Sequence, residues 1–109
     1  MRLVSPVPYL ASLTNKVYKL LPLREDEEDG KSVFLASYAD DLCMEMVGAL
    51  RTYESLAQDG DYHAMVNTMQ YMTTHDMTFD KWRSEVLKML HIITLLKKEN
   101  GGDRDGAES

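Results

Sequence analysis

Three residues with metal-ligating side chains lie close together near the middle of the chain. Asp59, Asp61 and His63 alternate along residues 59–63, so a turn there can bring two carboxylates and an imidazole together. A structural zinc site needs a fourth protein ligand, and a calcium loop needs more carboxylates and a terminal glutamate. Neither follows at a recognised spacing. We therefore expect a capped turn with an exposed histidine, and neither a metal nor another cofactor.

A pair of carboxylates offers acid–base chemistry. Asp41 and Glu45 are four residues apart in a predicted helix and therefore share one face. Close carboxylates can raise the pKa of one member, but such pairs are more often a solvated surface. The chain also has no glycine-rich phosphate loop, and its single cysteine, Cys43, has no local histidine partner. The sequence therefore favours a protein without enzymatic activity.

Length and cysteine content bound the class of protein. The 109 residues suit a single domain, and one free cysteine is typical of a reducing cytoplasm and of a buried apolar position. The longest uncharged run, residues 3–15, contains Pro6 and Pro8 and is too short to cross a membrane. We expect a cytoplasmic protein without a membrane span.

Charge is distributed unevenly along the chain. The net charge is −6, yet residues 25–78 carry −10 and residues 79–98 carry +3. This acidic balance disfavours direct binding to a phosphate backbone. Five consecutive acids predict a solvated linker over residues 24–31, with an acidic docking loop as the alternative. They are Glu25, Asp26, Glu27, Glu28 and Asp29.

Apolar residues recur at helical spacing in the first half of the chain. The first predicted helix covers residues 8–21 and ends at Pro22. The second covers residues 32–57, where Gly48 suggests a kink or a close helix crossing. The apolar stripes of these two helices are Leu10, Leu13, Val17 and Leu20, then Phe34, Tyr38, Leu42, Met46, Ala49, Tyr53 and Leu56.

Two further helices follow in the second half. The third covers residues 62–74, with Asp61 as its cap and Met65, Val66, Met69 and Met72 on one face. The fourth covers residues 79–99, with Thr78 as its cap. The sequence therefore predicts one all-α domain over residues 1–100, a small bundle of about four helices. Residues 101–109 contain no large apolar side chain, which predicts a disordered tail.

The fourth helix has more apolar surface than one small core needs. One stripe contains Phe79, Trp82, Val86, Met89, Ile93 and Leu96, and a second set contains Leu87, Leu90, Ile92 and Leu95. Exposed apolar surface of this kind marks protein interfaces, and two-fold pairing is a common way to cover it. We expect a protein partner bound through Leu87, Leu90 and Leu95, with the acidic run as a further contact, and a homodimer formed through this helix.

The third and fourth helices with their short turn also suggest a helix-turn-helix DNA binder. Phe79 and Trp82 occupy the first turn of the would-be recognition helix, where side chains should reach base edges. Both fit the core stripe better, so direct nucleic-acid binding is kept only as a further alternative.

Two segments carry a resemblance to a known class. Residues 16–25, which read Lys-Val-Tyr-Lys-Leu-Leu-Pro-Leu-Arg-Glu, and residues 82–91, Trp-Arg-Ser-Glu-Val-Leu-Lys-Met-Leu-His, resemble short uncharacterised open reading frames of Firmicute phages and prophages. The resemblance covers most of residues 16–98. It implies a small cytoplasmic protein that binds another protein, with a host defence or replication protein as one candidate, and no catalytic residues. Because small acidic phage proteins can mimic nucleic acid, it also leaves open an inhibitor of that kind.

Overall fold

The computed structural model describes residues 5–25 and 33–102, and within these ranges the chain is helical with no β-strand. The long helices α1, α3, α5 and α6 pack as a small all-α bundle, which confirms the predicted fold class. The helices are α1 (Val7–Tyr18), α2 (Leu20–Glu25), α3 (Val33–Thr52), α4 (Glu54–Ala57), α5 (Gly60–Thr74) and α6 (Phe79–Lys97), and α6 continues into a π-helical turn (Lys98–Gly102).

The first predicted helix is in fact two helices, because Pro22 interrupts it earlier than expected. A continuous helix would press the proline ring against the carbonyl of Tyr18, four residues back. Accordingly α1 ends at Tyr18 and α2 begins at Leu20. Pro22 then lies in the first turn of α2, where backbone N–H groups have no partner within the helix. The proline moves the break toward the N-terminus and does not end the helical segment.

The second predicted helix also divides, at Tyr53. This residue has an extended backbone, with φ −120° and ψ 104°, between α3 and α4. Its ring stacks on Tyr9 of α1, with ring centroids 5.3 Å apart. No proline or glycine occurs at the break, so the local sequence does not predict it.

Two side-chain caps set the starts of α5 and α6. Asp59 Oδ1 accepts a hydrogen bond from the Tyr62 backbone N–H at 3.0 Å, so Asp59 is the N-cap of α5, and the prediction of Asp61 was wrong by two residues. Thr78 Oγ1 accepts from Lys81 N–H at 3.2 Å, which confirms the predicted cap of α6. Each cap satisfies a backbone N–H that has no partner within its own helix.

The core lies between the packed helices. Helix α6 packs against α1, α2 and α5, and α3 packs against α5. The predicted stripes of α1, α5 and α6 are buried, except that Phe79 is half-buried. The fully buried large side chains are Leu10, Leu13, Leu20, Leu35, Met46, Leu56, Tyr62, Met65, Met69, Met72, Trp82 and Met89.

The start of the α3 stripe was wrong. Phe34 is 65% exposed, whereas Leu35, Ala39 and Cys43 are buried. A residue four positions along a helix is rotated by about 40°, so the repeated steps of four from Phe34 to Met46 drift by about 120° around the axis. Leu35 lies on the face that the rest of the stripe buries.

Gly48 lies in the interior of α3, half-exposed, and a Cβ added there meets nothing within 4 Å. The close helix crossing suggested for this position is therefore not found among the described residues. Because glycine loses more backbone entropy on folding than alanine, we expect Gly48→Ala to raise the free energy of unfolding by about 0.5–1 kcal/mol. Urea unfolding followed by circular dichroism measures this; an unchanged or lower midpoint would contradict it.

The chain termini and the predicted linker lie partly outside the described residues. Arg24 and Glu25 belong to α2, and Arg24 is buried, so the linker does not begin at residue 24. The remainder of the acidic run, residues 26–29, is not described, and of the predicted tail only Gly101 and Gly102 are, within the π-helical turn. None of the described helices is long and apolar enough to cross a membrane.

Candidate functional site

The residues that suggested a metal site are used by the turn itself. Asp59 caps α5, and a ring nitrogen of His63, Nε2, is 2.6 Å from the carbonyl oxygen of Ala57. Asp61 and His63 are both exposed. Residues 5–25 and 33–102 contain no group of three or more His, Cys, Asp or Glu side chains placed to hold a metal ion.

The carboxylates of α3 do not act as a pair. Both oxygens of Glu45 bind Lys16 Nζ, at 2.8 and 2.9 Å, and so join α3 to α1, whereas Asp41 is exposed. Cys43 is buried, as predicted, and burial raises the pKa of its thiol, with the charge of Asp40 adding to the effect. A thiol held in its neutral form is a poor nucleophile.

A chain of tyrosine hydroxyls links α1, α3 and α5. The Tyr62 hydroxyl donates to the carbonyl of Met46 at 2.6 Å, so Tyr9, whose hydroxyl is 3.0 Å from that of Tyr62, must donate to it. Burial raises the pKa of Tyr9, and it raises the pKa of Tyr62 to about 12, with Glu45 adding to both. These hydroxyls remain neutral and have structural partners, which points to stability and not to proton transfer.

Removal of the Tyr62 hydroxyl should cost more than removal of the Tyr9 hydroxyl. Tyr62→Phe takes away a buried donor and an acceptor, and we expect it to lower the free energy of unfolding by about 1–2 kcal/mol. Tyr9→Phe is the matched control, because it leaves the bond from Tyr62 to Met46 in place. Urea unfolding of both variants measures the difference; equal losses would contradict the order of donation.

The outward face of α6 carries the apolar side chains that the core does not cover. Leu87 and Leu95 are 42% and 39% exposed. They lie one turn before and one turn after His91, which is also exposed. At 1.5 Å per residue, the two leucines are about 12 Å apart along the helix axis. We call this row, Leu87, His91 and Leu95, the α6 outer face.

Leu90 does not belong to the α6 outer face. It is half-buried and packs against the core, as Ile92 does. Leu90 is rotated by about 100° from His91, which turns it toward the buried stripe. Of the three leucines predicted to bind a partner, the structure places two together on the surface and assigns the third to the edge of the core.

A shallow depression of about 610 Å³ lies along the same part of α6. The described residues that line it all come from this helix, and they combine apolar with basic side chains. They include Asp80, Arg83, Leu87, Lys88, His91 and Ile92. The lining combines apolar side chains with charged ones beside them, which are called the rim below, and many protein-binding surfaces have this composition.

One carboxylate is shared by two of the lysines on α6. Glu85 Oε2 is 3.1 Å from Lys81 Nζ and 3.4 Å from Lys88 Nζ. Partial burial raises the pKa of Glu85, but the hydrogen bonds and charges of the two lysines outweigh it, so the pKa lies below its ordinary value. The two cations therefore share one negative charge, and a net positive charge remains beside the depression.

The other exposed apolar side chains are scattered over different helices. Tyr18 is on α1, Phe34 and Met44 are on α3, and Tyr71 is on α5, where its ring stacks on His75 at 3.9 Å. A smaller depression of about 310 Å³ between α5 and α6 is lined by Asn67, Thr68, Tyr71, Lys81 and Glu85. Lys81 and Glu85 already bind each other. Single exposed apolar residues are normal on a protein surface.

Two other binding hypotheses concern a helix-turn-helix formed by α5 and α6 and the acidic run at residues 25–29. Trp82, in the first turn of the would-be recognition helix, is fully buried and cannot reach a base edge. Of the acidic run, Glu25 ends α2, and Asp26, Glu27, Glu28 and Asp29 lie outside the described residues. No contact between that run and the α6 outer face is part of the described structure.

The sequence analysis missed the polar side chains that accompany the exposed leucines. Arg83, Lys88 and His91 lie within one turn of Leu87, so a projection of α6 down its axis would have placed them on the same side. The same projection would also have placed Leu90 toward the core.

Comparison with protein-family models, curated proteins and solved structures found no match for this chain.

Proposed function

We propose that this protein has no enzymatic activity and acts by binding another protein through the α6 outer face. The observation that carries the proposal is the pair of exposed leucines, Leu87 and Leu95, one turn either side of His91 and beside a depression of about 610 Å³. Apolar side chains at this spacing fit a helix or an extended segment of a partner. A cytoplasmic location belongs to the same proposal, supported by the free Cys43.

Affinity capture with matched variants tests this proposal. We expect Leu87→Glu combined with Leu95→Glu to weaken partner binding at least about tenfold, because each change puts a charge into an apolar contact. Phe34→Glu combined with Met44→Glu is the control, since these exposed residues lie on α3. Circular dichroism should show that both variants remain folded.

The readout is quantitative mass spectrometry of the captured proteins, followed by titration of the purified partner. The proposal is supported if one partner binds the unaltered protein and the α3 variant but not the α6 variant. Capture that survives the α6 changes, or that both variants lose equally, would show that binding takes place elsewhere.

The homodimer remains a prediction and uses the same face. An antiparallel pair of α6 helices centred on His91 would set Leu87 of one copy beside Leu95 of the other. Light scattering at tens of micromolar decides this, since a mass near 12.5 kDa is that of the monomer.

The phage resemblance and the nucleic-acid mimic also remain proposals. A mimic would act through its acidic residues, so its complex should weaken steeply as salt is added, whereas an apolar contact should change little. Replacing the acids at 26–29 with amides would abolish binding by a mimic and leave binding through the α6 outer face.

A further inference from the structure

The charges around the α6 outer face differ in sign from those of the chain as a whole. The protein carries −6, but residues 79–98 contain five basic and two acidic residues. Among the described residues that line the depression, Arg83 and Lys88 are basic and Asp80 is acidic, with His91 between the two exposed leucines. This face is a basic patch with an apolar centre on an acidic protein.

The positive charge at the rim is only partly neutralised within the described residues. No ion pair there involves Arg83, which is exposed. Lys88 lies 3.4 Å from Glu85, but Lys81 holds the same carboxylate oxygen at 3.1 Å. Arg83 and Lys88 are therefore available to carboxylates of a bound molecule, and a guanidinium binds a carboxylate with two parallel hydrogen bonds.

We infer that the partner of the α6 outer face is an amphipathic protein helix that carries carboxylates beside its apolar residues. The inference rests on the proposed function and adds the chemistry of the partner to it. Two turns of a helix span about 11 Å, which matches the separation of about 12 Å between Leu87 and Leu95 along the axis. Apolar residues of the partner cover the leucines, and its acids meet Arg83 and Lys88 at the rim.

Two other occupants fit the charges less well. Antiparallel pairing centred on His91 sets Arg83 of one copy beside Glu99 of the other, but it sets Lys88 beside Thr94 and His91 against its own copy. A second copy therefore supplies a carboxylate to only one of the two cations. A nucleic acid would satisfy Arg83 and Lys88, but its phosphates would leave Leu87 and Leu95 against a strongly hydrated backbone. A helix with both apolar and acidic residues satisfies both features of the face.

Designed peptides test the inference on the full chain. The probe is a synthetic amphipathic helix of about 18 residues, with leucine at every third or fourth position and glutamate on both flanks. The matched peptide has lysine in place of glutamate. Fluorescence anisotropy gives both dissociation constants, and we expect the glutamate peptide to bind at least about tenfold more tightly.

Charge reversal on the protein should reverse this preference. Arg83→Glu combined with Lys88→Glu is expected to favour the lysine peptide, whereas Lys19→Glu combined with Arg51→Glu, at exposed positions on other segments, should leave the preference for glutamate unchanged. Leu87→Glu combined with Leu95→Glu should weaken both peptides. Binding of a duplex oligonucleotide is measured in the same way and at the same ionic strength. Light scattering of the protein alone, also at that ionic strength, gives its oligomeric state.

Each outcome decides the inference. The inference is overturned if neither peptide binds, if the two peptides bind equally, or if the Arg83→Glu, Lys88→Glu variant still prefers the glutamate peptide. It is also overturned if the duplex binds more tightly than the glutamate peptide, or if the protein forms a dimer that excludes the peptide. Equal binding of both peptides that is lost in the Leu87 and Leu95 variant overturns only the acidic partner. Failure of the proposed function is a separate result, namely capture of the natural partner that does not depend on Leu87 and Leu95.

Discussion

Trp82→Ala should lower the free energy of unfolding by about 3–5 kcal/mol, the cost typical of removing a large buried aromatic side chain. Trp82 is fully buried on α6, and its indole Nε1–H donates to the Leu20 carbonyl at 2.9 Å. The substitution leaves a cavity between α6 and the helices packed on it and removes the donor to α2. Because domains of this size are stable by about 5–15 kcal/mol, the loss is a large fraction of the total.

Trp82→Phe keeps this prediction testable if the alanine variant does not fold. Phenylalanine retains much of the ring but cannot donate to the Leu20 carbonyl, so we expect a smaller loss, of about 1–3 kcal/mol. Circular dichroism during urea unfolding measures both variants. In the unaltered protein Trp82 is the single tryptophan, and its fluorescence should be protected from acrylamide until the protein unfolds. An alanine variant as stable as the unaltered protein, or a tryptophan open to acrylamide in the native state, would contradict the buried position.

The parts of the fold that could be predicted are those where one helix face is buried along its whole length. In α5 and α6 the apolar residues recur at steps of three and four, which keep to one side of a helix. Their stripes, Met65 to Met72 and Trp82 to Leu96, are buried as expected. The cap at Thr78 was also predictable, because a threonine before a helical stripe has a specific hydrogen-bonding role.

The parts that could not be predicted depend on contacts between distant residues. The break at Tyr53 accompanies a stacking contact with Tyr9, 44 positions earlier in the sequence. The hydroxyl of Tyr62 finds the carbonyl of Met46 in another helix. Local propensity contains no information about either contact, because the partner is set by how the helices pack.

Only part of the candidate site could be predicted, because contacts between helices also decide which apolar residues remain exposed. The surplus of apolar residues on the last helix was visible in the sequence, and Leu87 and Leu95 are exposed as expected. Which of the surplus residues remained uncovered depended on the packing of the neighbouring helices, and Leu90 became part of the core edge. The charges of Arg83 and Lys88 beside the exposed leucines are the most specific indication of what this face binds.

The position of Arg24 differs most from the one that the sequence predicted. It directly precedes five acids and was expected in a solvated linker, yet it lies in α2 and is only 8% exposed. Its Nη2 donates to the carbonyl of Met77 at 3.0 Å and so joins α2 to the turn that precedes α6. A buried guanidinium is stable only when its charge and its donors are satisfied.

We expect Arg24→Met to lower the free energy of unfolding by about 1.5–3 kcal/mol, the range for loss of a hydrogen bond from a charged group. Methionine keeps an unbranched apolar stem, so most of the packing remains and the loss reports on the guanidinium. The free energy of unfolding of Arg24→Lys should lie between those of the unaltered protein and Arg24→Met, because an ammonium keeps the charge but lacks the planar fork of the guanidinium.

Arg51→Met is the matched control, since Arg51 is exposed on α3 and surface substitutions of this kind change stability by no more than about 0.5 kcal/mol. Urea unfolding followed by Trp82 fluorescence compares all three variants with the unaltered protein. A loss at position 24 no larger than at position 51 would mean that the Met77 contact contributes little. A clear excess would show that the buried guanidinium as a whole stabilises the fold, in a segment whose composition suggested only a solvated linker.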